Sequence, residues 1–81
     1  MKIYDFKGKK NICGSRVREA REQRKMTQTK LATQLQIYGV EIECNSISRI
    51  EAGTRFVSDY EIVALSKCLN VTPNWLLNLE N

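Results

Sequence analysis

The sequence predicts an all-α domain, a bundle of five short helices around one core. Three observations lead there. Apolar residues recur at three- and four-residue spacing in successive segments. Those segments are separated by residues that stop or start helices, among them Gly39, Gly53, Ser58, Asn70 and Pro73. The chain of 81 residues, 42% hydrophobic and 27% charged, has the size and balance of one small globular domain.

Taken in order, Met1 to Asn11 mixes basic and apolar residues around one glycine with no sustained period. It is expected to be a basic arm over residues 1–11, ahead of a domain over residues 12–81. After Gly14 the pattern turns helical: Cys13, Val17, Ala20 and Arg24 share a face and leave Arg16, Arg18, Glu19, Glu22 and Gln23 to solvent. Lys25-Met26 is expected to end this first helix. Thr27 is placed to cap a second helix opening at Gln28, in which Leu31, Leu35 and Tyr38 recur at helical spacing beside Ala32, and Gly39 supplies the stop. VEIECN alternates apolar and acidic residues and reads as an extended connector. A third helix is predicted from about Cys44 to Ala52, with Ile47 and Ile50 inward and Gly53 ending it. Ser58 followed by Glu61 forms a capping box for a fourth helix that buries Ile62, Leu65 and Leu69 and stops at Asn70. Thr72-Pro73 opens a fifth, carrying Trp75, Leu76 and Leu79, since proline suits the first helical position.

Charge is unevenly distributed. Residues 1–30 hold ten Lys/Arg against three Asp/Glu, whereas residues 31–81 hold three against six. A basic first third favours a polyanionic partner, although a solvated charged face would look the same. Cys13, Cys44 and Cys68 are odd in number and far apart, and the chain has no histidine. This argues against a disulfide framework and against a metal site. No apolar run approaches the roughly 18 residues a membrane span needs, and MKIYDFKGKKN lacks the apolar core of a signal peptide, so the protein is expected to be cytoplasmic. No nucleophile–base pairing or phosphate-cradling glycine loop is visible. An enzyme is not expected, and no cofactor is implied.

The second and third helices, with the turn between them, make a helix-turn-helix unit from about Gln28 to Gly53. TQTKLATQL, NSISRIEAGTR and SDYEIVALSKCLNVTPNWLL resemble the phage repressor and Cro type of helix-turn-helix, the xenobiotic-response-element family. The resemblance covers about Cys13 to Leu77. It rests on the T-Q pair, the L-A pair three residues on, and I-S-R-I-E-x-G in that order. It implies a five-helix lambda-repressor-like fold and sequence-specific binding of double-stranded operator DNA by a transcriptional regulator, most simply a repressor. The same fold also serves antitoxins and repressor antagonists, which work as protein-interaction modules.

The physics of groove recognition assigns roles to residues. A helix fits the major groove of B-DNA, and its base-reading face must be polar while its other face is buried. Asn45, Ser46 and Arg49 supply the first face, Ile47 and Ile50 the second. Arg49 has the donors to bind guanine O6 and N7, and Asn45 can pair with adenine. Alternatively, Asn45 caps its own helix and Arg49 pairs with Glu43. Lys30, Thr54 and Arg55 are read as phosphate contacts, which position without reading sequence. The resemblance adds Gln28 as a contact to a phosphate or outer base pair, and Arg21 with Glu51 as a partly buried ion pair that orients the third helix. Any homodimer is expected to use the fifth helix or to form on the DNA.

One departure stands out. Leu35 and Ile47 lie twelve positions apart where the compact family pattern has about seven, so residues around QIYGV lengthen the turn. Val40 and Ile42 are expected to tuck into the core. Glu41 and Glu43 then precede the third helix, where acids suit its positive end but oppose nearby phosphates. Cys44 falls at the helix start; a thiol there can be activated, but a small residue beside the DNA backbone is the simpler reading.

Overall fold

The computed structural model describes residues 6–81, so residues 1–5 of the expected arm lie outside the described residues. Five helices follow one another: α1 (Gly14–Gln23), α2 (Gln28–Ile37), α3 (Cys44–Ala52), α4 (Asp59–Leu69) and α5 (Pro73–Leu76). Among the described residues there is no named strand, only an isolated bridge between Phe6 and Lys9. Among the described residues no helix is long and apolar enough to cross a membrane. The inward stripes meet in one cluster, in which Val17, Leu31, Leu35, Ile47, Ile50, Leu65 and Leu76 are fully buried. α3 packs against both α1 and α2, while α4 backs α1 and α2 and carries α5.

Short-range chemistry sets most helix ends. Thr27, Ser58 and Thr72 sit in extended backbone, and their hydroxyls accept the N–H of Lys30, Glu61 and Trp75. Glu61 returns a bond to the Ser58 N–H, which completes the capping box. All five helices then stop on a residue in left-handed backbone: Lys25, Gly39, Gly53, Asn70 and Asn78. After α1 the N–H of Met26 reaches back to Arg21 O and that of Lys25 to Glu22 O, the double bond pattern that closes a helix. Lys25 adopts this conformation without being glycine or asparagine.

Three expectations need correction. Lys25 and Met26 do close α1, but Arg24 already lies past its last residue, Gln23, and is exposed, not on the buried face with Val17 and Ala20. Tyr38 lies past the end of α2 and is half exposed, not part of the buried stripe. α5 is a single turn. It stops at Leu76, leaving Leu79 outside it and 70% exposed.

The lengthened turn is well packed. Gly39 (φ +78°) reverses the chain, and the N–H of Val40 bonds to Leu35 O. Val40 and Ile42 then descend into the core while Glu41 and Glu43 stay outside. At the other side of the domain, Phe6 to Asn11 forms a strap. The Lys10 N–H bonds to Gly53 O at 2.8 Å, and Lys9 Nζ reaches Ala52 O at 3.4 Å. The strap is therefore tied to the C-terminal end of α3.

Candidate nucleic-acid interface

α3 is a two-faced helix. Ile47 and Ile50 are fully buried between α1 and α2. Asn45, Ser48 and Arg49 are exposed and Ser46 is half-buried. Among the described residues no intrachain hydrogen bond or ion pair engages the side chains of Asn45, Ser46 or Arg49, so neither a helix-capping Asn45 nor an Arg49–Glu43 pair is formed. The N-terminus of α3 is also distinctive. Asn11 Oδ1 accepts the Gly14 N–H at the start of α1, and hydroxyls serve α2, α4 and α5. No side chain caps α3, whose flanking Glu43 makes no cap bond. The Ser46 N–H turns back to Glu43 O at 2.9 Å, so the first turn is closed by backbone alone, with the positive end of the helix dipole at its start.

The far end of α3 is fastened. Arg21 Nε lies 2.6 Å from Glu51 Oε2 and Nη2 lies 3.1 Å from Oε1, a forked pair whose side chains keep 13% and 5% of their exposure. Arg21 Nη1 also donates to Met26 O. The bond to Glu51 raises the Arg21 guanidinium above its already high ordinary value, against the opposing effect of burial. Gln28 Nε2 donates to the same Glu51 carboxylate at 3.1 Å. The glutamine at the start of α2 is thus held at the foot of α3 by the carboxylate that orients α3.

Asn11, a residue the sequence gave no reason to single out, adds a second fastening. Its Nδ2 donates to Ile50 O (3.1 Å) and Arg55 O (2.7 Å) while its Oδ1 takes the Gly14 N–H (2.9 Å). Gly14 itself allows the approach, because a Cβ there would collide with the Ile50 carbonyl oxygen. The available sequence signal was faint: an asparagine three positions ahead of a helical residue, and a glycine at a helix start.

The remaining sequence-predicted residues divide. Lys30 is exposed on the first turn of α2. Thr54 is exposed after α3, with its N–H and hydroxyl both bonded to Arg49 O. Arg55 is engaged within the chain: its fork lies on Glu61 at 3.1 and 3.3 Å and on Phe56 O, with 29% of the side chain exposed. Burial pushes the Glu61 carboxyl up, but the bonds from Arg55 and from the Ser58 N–H outweigh it and hold Glu61 below the usual carboxylate range. Burial also raises the Cys13 thiol to about 11 and shifts Cys68 in the same direction, so both are protonated core thiols at neutral pH. Cys44 is exposed on the first turn of α3. No group of three or more His, Cys, Asp or Glu able to hold a metal ion occurs among the described residues.

A buried-backed polar helix at the junction of two others, with its foot locked by Arg21–Glu51, is the architecture of a helix-turn-helix domain. Residues 14–81 match the family model described as a helix-turn-helix domain, and the chain belongs to that family. Among solved structures it is similar to the P22 c2 repressor protein in complex with synthetic operator 9T in the presence of Tl+. The TM-score is 0.73 at 26% identity, over 86% of this chain and 98% of that one. It is also similar to the restriction-modification controller protein C.AhdI from Aeromonas hydrophila, with a TM-score of 0.69 and 28% identity, over 79% of this chain and 89% of that one. No curated protein matches it.

Proposed function

We propose that this protein is a sequence-specific double-stranded DNA-binding regulator of transcription that reads the major groove with α3. The observation that carries the reading is the division of α3. Asn45 and Arg49 are exposed and find no partner among the described residues, while Ile47 and Ile50 on the opposite face are fully buried. A groove-reading helix needs free donors and acceptors held by a rigid scaffold. Membership of the helix-turn-helix family and likeness to an operator-bound repressor support it.

In this reading the uncapped start of α3 enters the groove. Arg49 bonds guanine O6 and N7 with two donors, Asn45 pairs with adenine, and Ser46 makes the lesser base contact. Lys30 and the first N–H groups of α2 meet phosphates, as does Thr54. Gln28, anchored by Glu51, presents its remaining amide surface at the same edge. Arg55 serves first as the holder of the α3–α4 loop through Glu61, with the exposed part of its fork toward the backbone. Binding alone represses a promoter it covers, by occlusion.

Selection from a random duplex pool at near-physiological salt tests the proposal. An enriched motif should be bound with affinity falling about 0.9 log units per log unit of salt for each phosphate neutralised. Purification with a tightly held protein partner, and no salt-dependent binding to any duplex, would instead mark an antitoxin-like interaction module.

A further inference from the structure

The lengthened turn after α2 builds a surface that groove recognition does not use. α4 buries Ile62, Ala64, Leu65, Cys68 and Leu69, and turns Asp59, Tyr60, Val63 and Lys67 outward. The turn lies along this outward face. Lys67 Nζ sits 5.8 Å from the centre of the Tyr38 ring, and Tyr60 shares a shallow pocket with Gly39, Val40 and Glu41. Tyr38, Tyr60 and Val63 therefore form one patch, and they stay 48%, 65% and 46% exposed. A charge-rimmed apolar patch on a domain of 9.4 kDa marks an interaction surface. α5 offers far less, since Trp75 is covered by Arg16 at 4.6 Å and Leu76 is buried.

The order of the charges identifies the partner. Asp59, Val63 and Lys67 follow at i, i+4 and i+8, so an acid, an apolar centre and a base run along one side of α4. If two copies of α4 cross antiparallel about a twofold axis at Val63, each Asp59 meets Lys67 of the partner subunit. Symmetry makes the pair twice. A parallel crossing would instead set acid on acid and base on base. We propose that the outward face of α4, widened by Tyr38 of the lengthened turn, docks a second copy of this chain antiparallel to the first. Three apolar side chains and two symmetry-related ion pairs make a limited contact, so the dimer is expected to be weak, with a Kd on the order of micromolar.

Sedimentation equilibrium of the full chain, without DNA, tests this independently of the DNA-binding reading. The mass should climb with concentration from 9.4 kDa toward twice that. Asp59→Lys alone or Lys67→Asp alone should weaken association by about tenfold or more, through two like-charge contacts per dimer. The double variant Asp59→Lys with Lys67→Asp should restore it to within about threefold of the parent, because the exchanged charges again complement each other. Val63→Glu should abolish it while leaving the circular dichroism melt in place, since all three side chains are exposed. A chain that stays monomeric to about 1 mM overturns the proposal, and so does a dimer indifferent to the charge reversals, which would sit on another surface. Neither result touches groove recognition by α3.

Discussion

The two ends of α3 are built differently. At the C-terminal end, Glu51 holds Arg21 and Gln28, Asn11 ties Ile50 to Arg55 and Gly14, and Gly53 takes the left-handed stop under the Lys9 side chain. At the N-terminal end, no side chain caps the helix, and Asn45 is exposed behind a long turn with no partner among the described residues. In the proposed reading, orientation and recognition are divided between parts of one helix. The fastenings at its C-terminal end set its angle, while Asn45 in the first turn and Arg49 in the last keep their polar groups on the outward face. Rigid support behind exposed donors is what discrimination requires, because a mobile arginine has no fixed bonding partner.

Breaking the fastened end should cost stability. Glu51→Ala strands the Arg21 charge at 13% exposure and releases Gln28. A loss of about 3 kcal/mol is expected, a fall in Tm on the order of 10–20 °C by circular dichroism. An unchanged Tm would show that the pair is ornamental. Gly14→Ala comes next: its Cβ would meet Ile50 O, so α1 and α3 must part, at about 1–3 kcal/mol in a urea melt.

Acid should act through Glu61. Its carboxyl is held below the usual range, so it contributes stability in full above ordinary carboxylate values. That contribution fades as pH falls through them and is gone below its lowered folded value. Urea midpoints measured from neutral pH downward should fall less steeply for Glu61→Gln than for the parent. Parallel slopes would contradict the role given to the Arg55–Glu61 pair.

Most of the fold was legible because its signals are local. Thr27, Ser58 with Glu61, Pro73, Gly39 and Gly53 act within four residues of themselves, and their chemistry can be read in a line of sequence. What escaped is long-range or has no composition of its own. Asn11 bonds carbonyls 39 and 44 positions away, and any residue supplies a carbonyl. Arg16 was expected in solvent but bonds Trp75 O and Glu80 O, 59 and 64 positions on. Thr72 likewise bonds the Glu80 carboxylate. Arg55 looked like a free basic residue because the glutamate it meets was already explained as half of a capping box. The helix-turn-helix unit and its exposed face were legible together, since a buried Ile47–Ile50 stripe dictates where Asn45 and Arg49 must lie.

The account stands or falls on α3 reading bases from its free face. Affinities of the parent and of Arg49→Ala should be compared across a selected site and its single-base-pair variants, at one salt concentration. Arg49→Ala should keep its Tm and lose about 1–3 kcal/mol on the preferred site, with preference relaxed at one base pair per half-site and retained elsewhere. An equal loss on every sequence would make Arg49 a phosphate contact, and no loss on any would contradict groove reading by this face of α3.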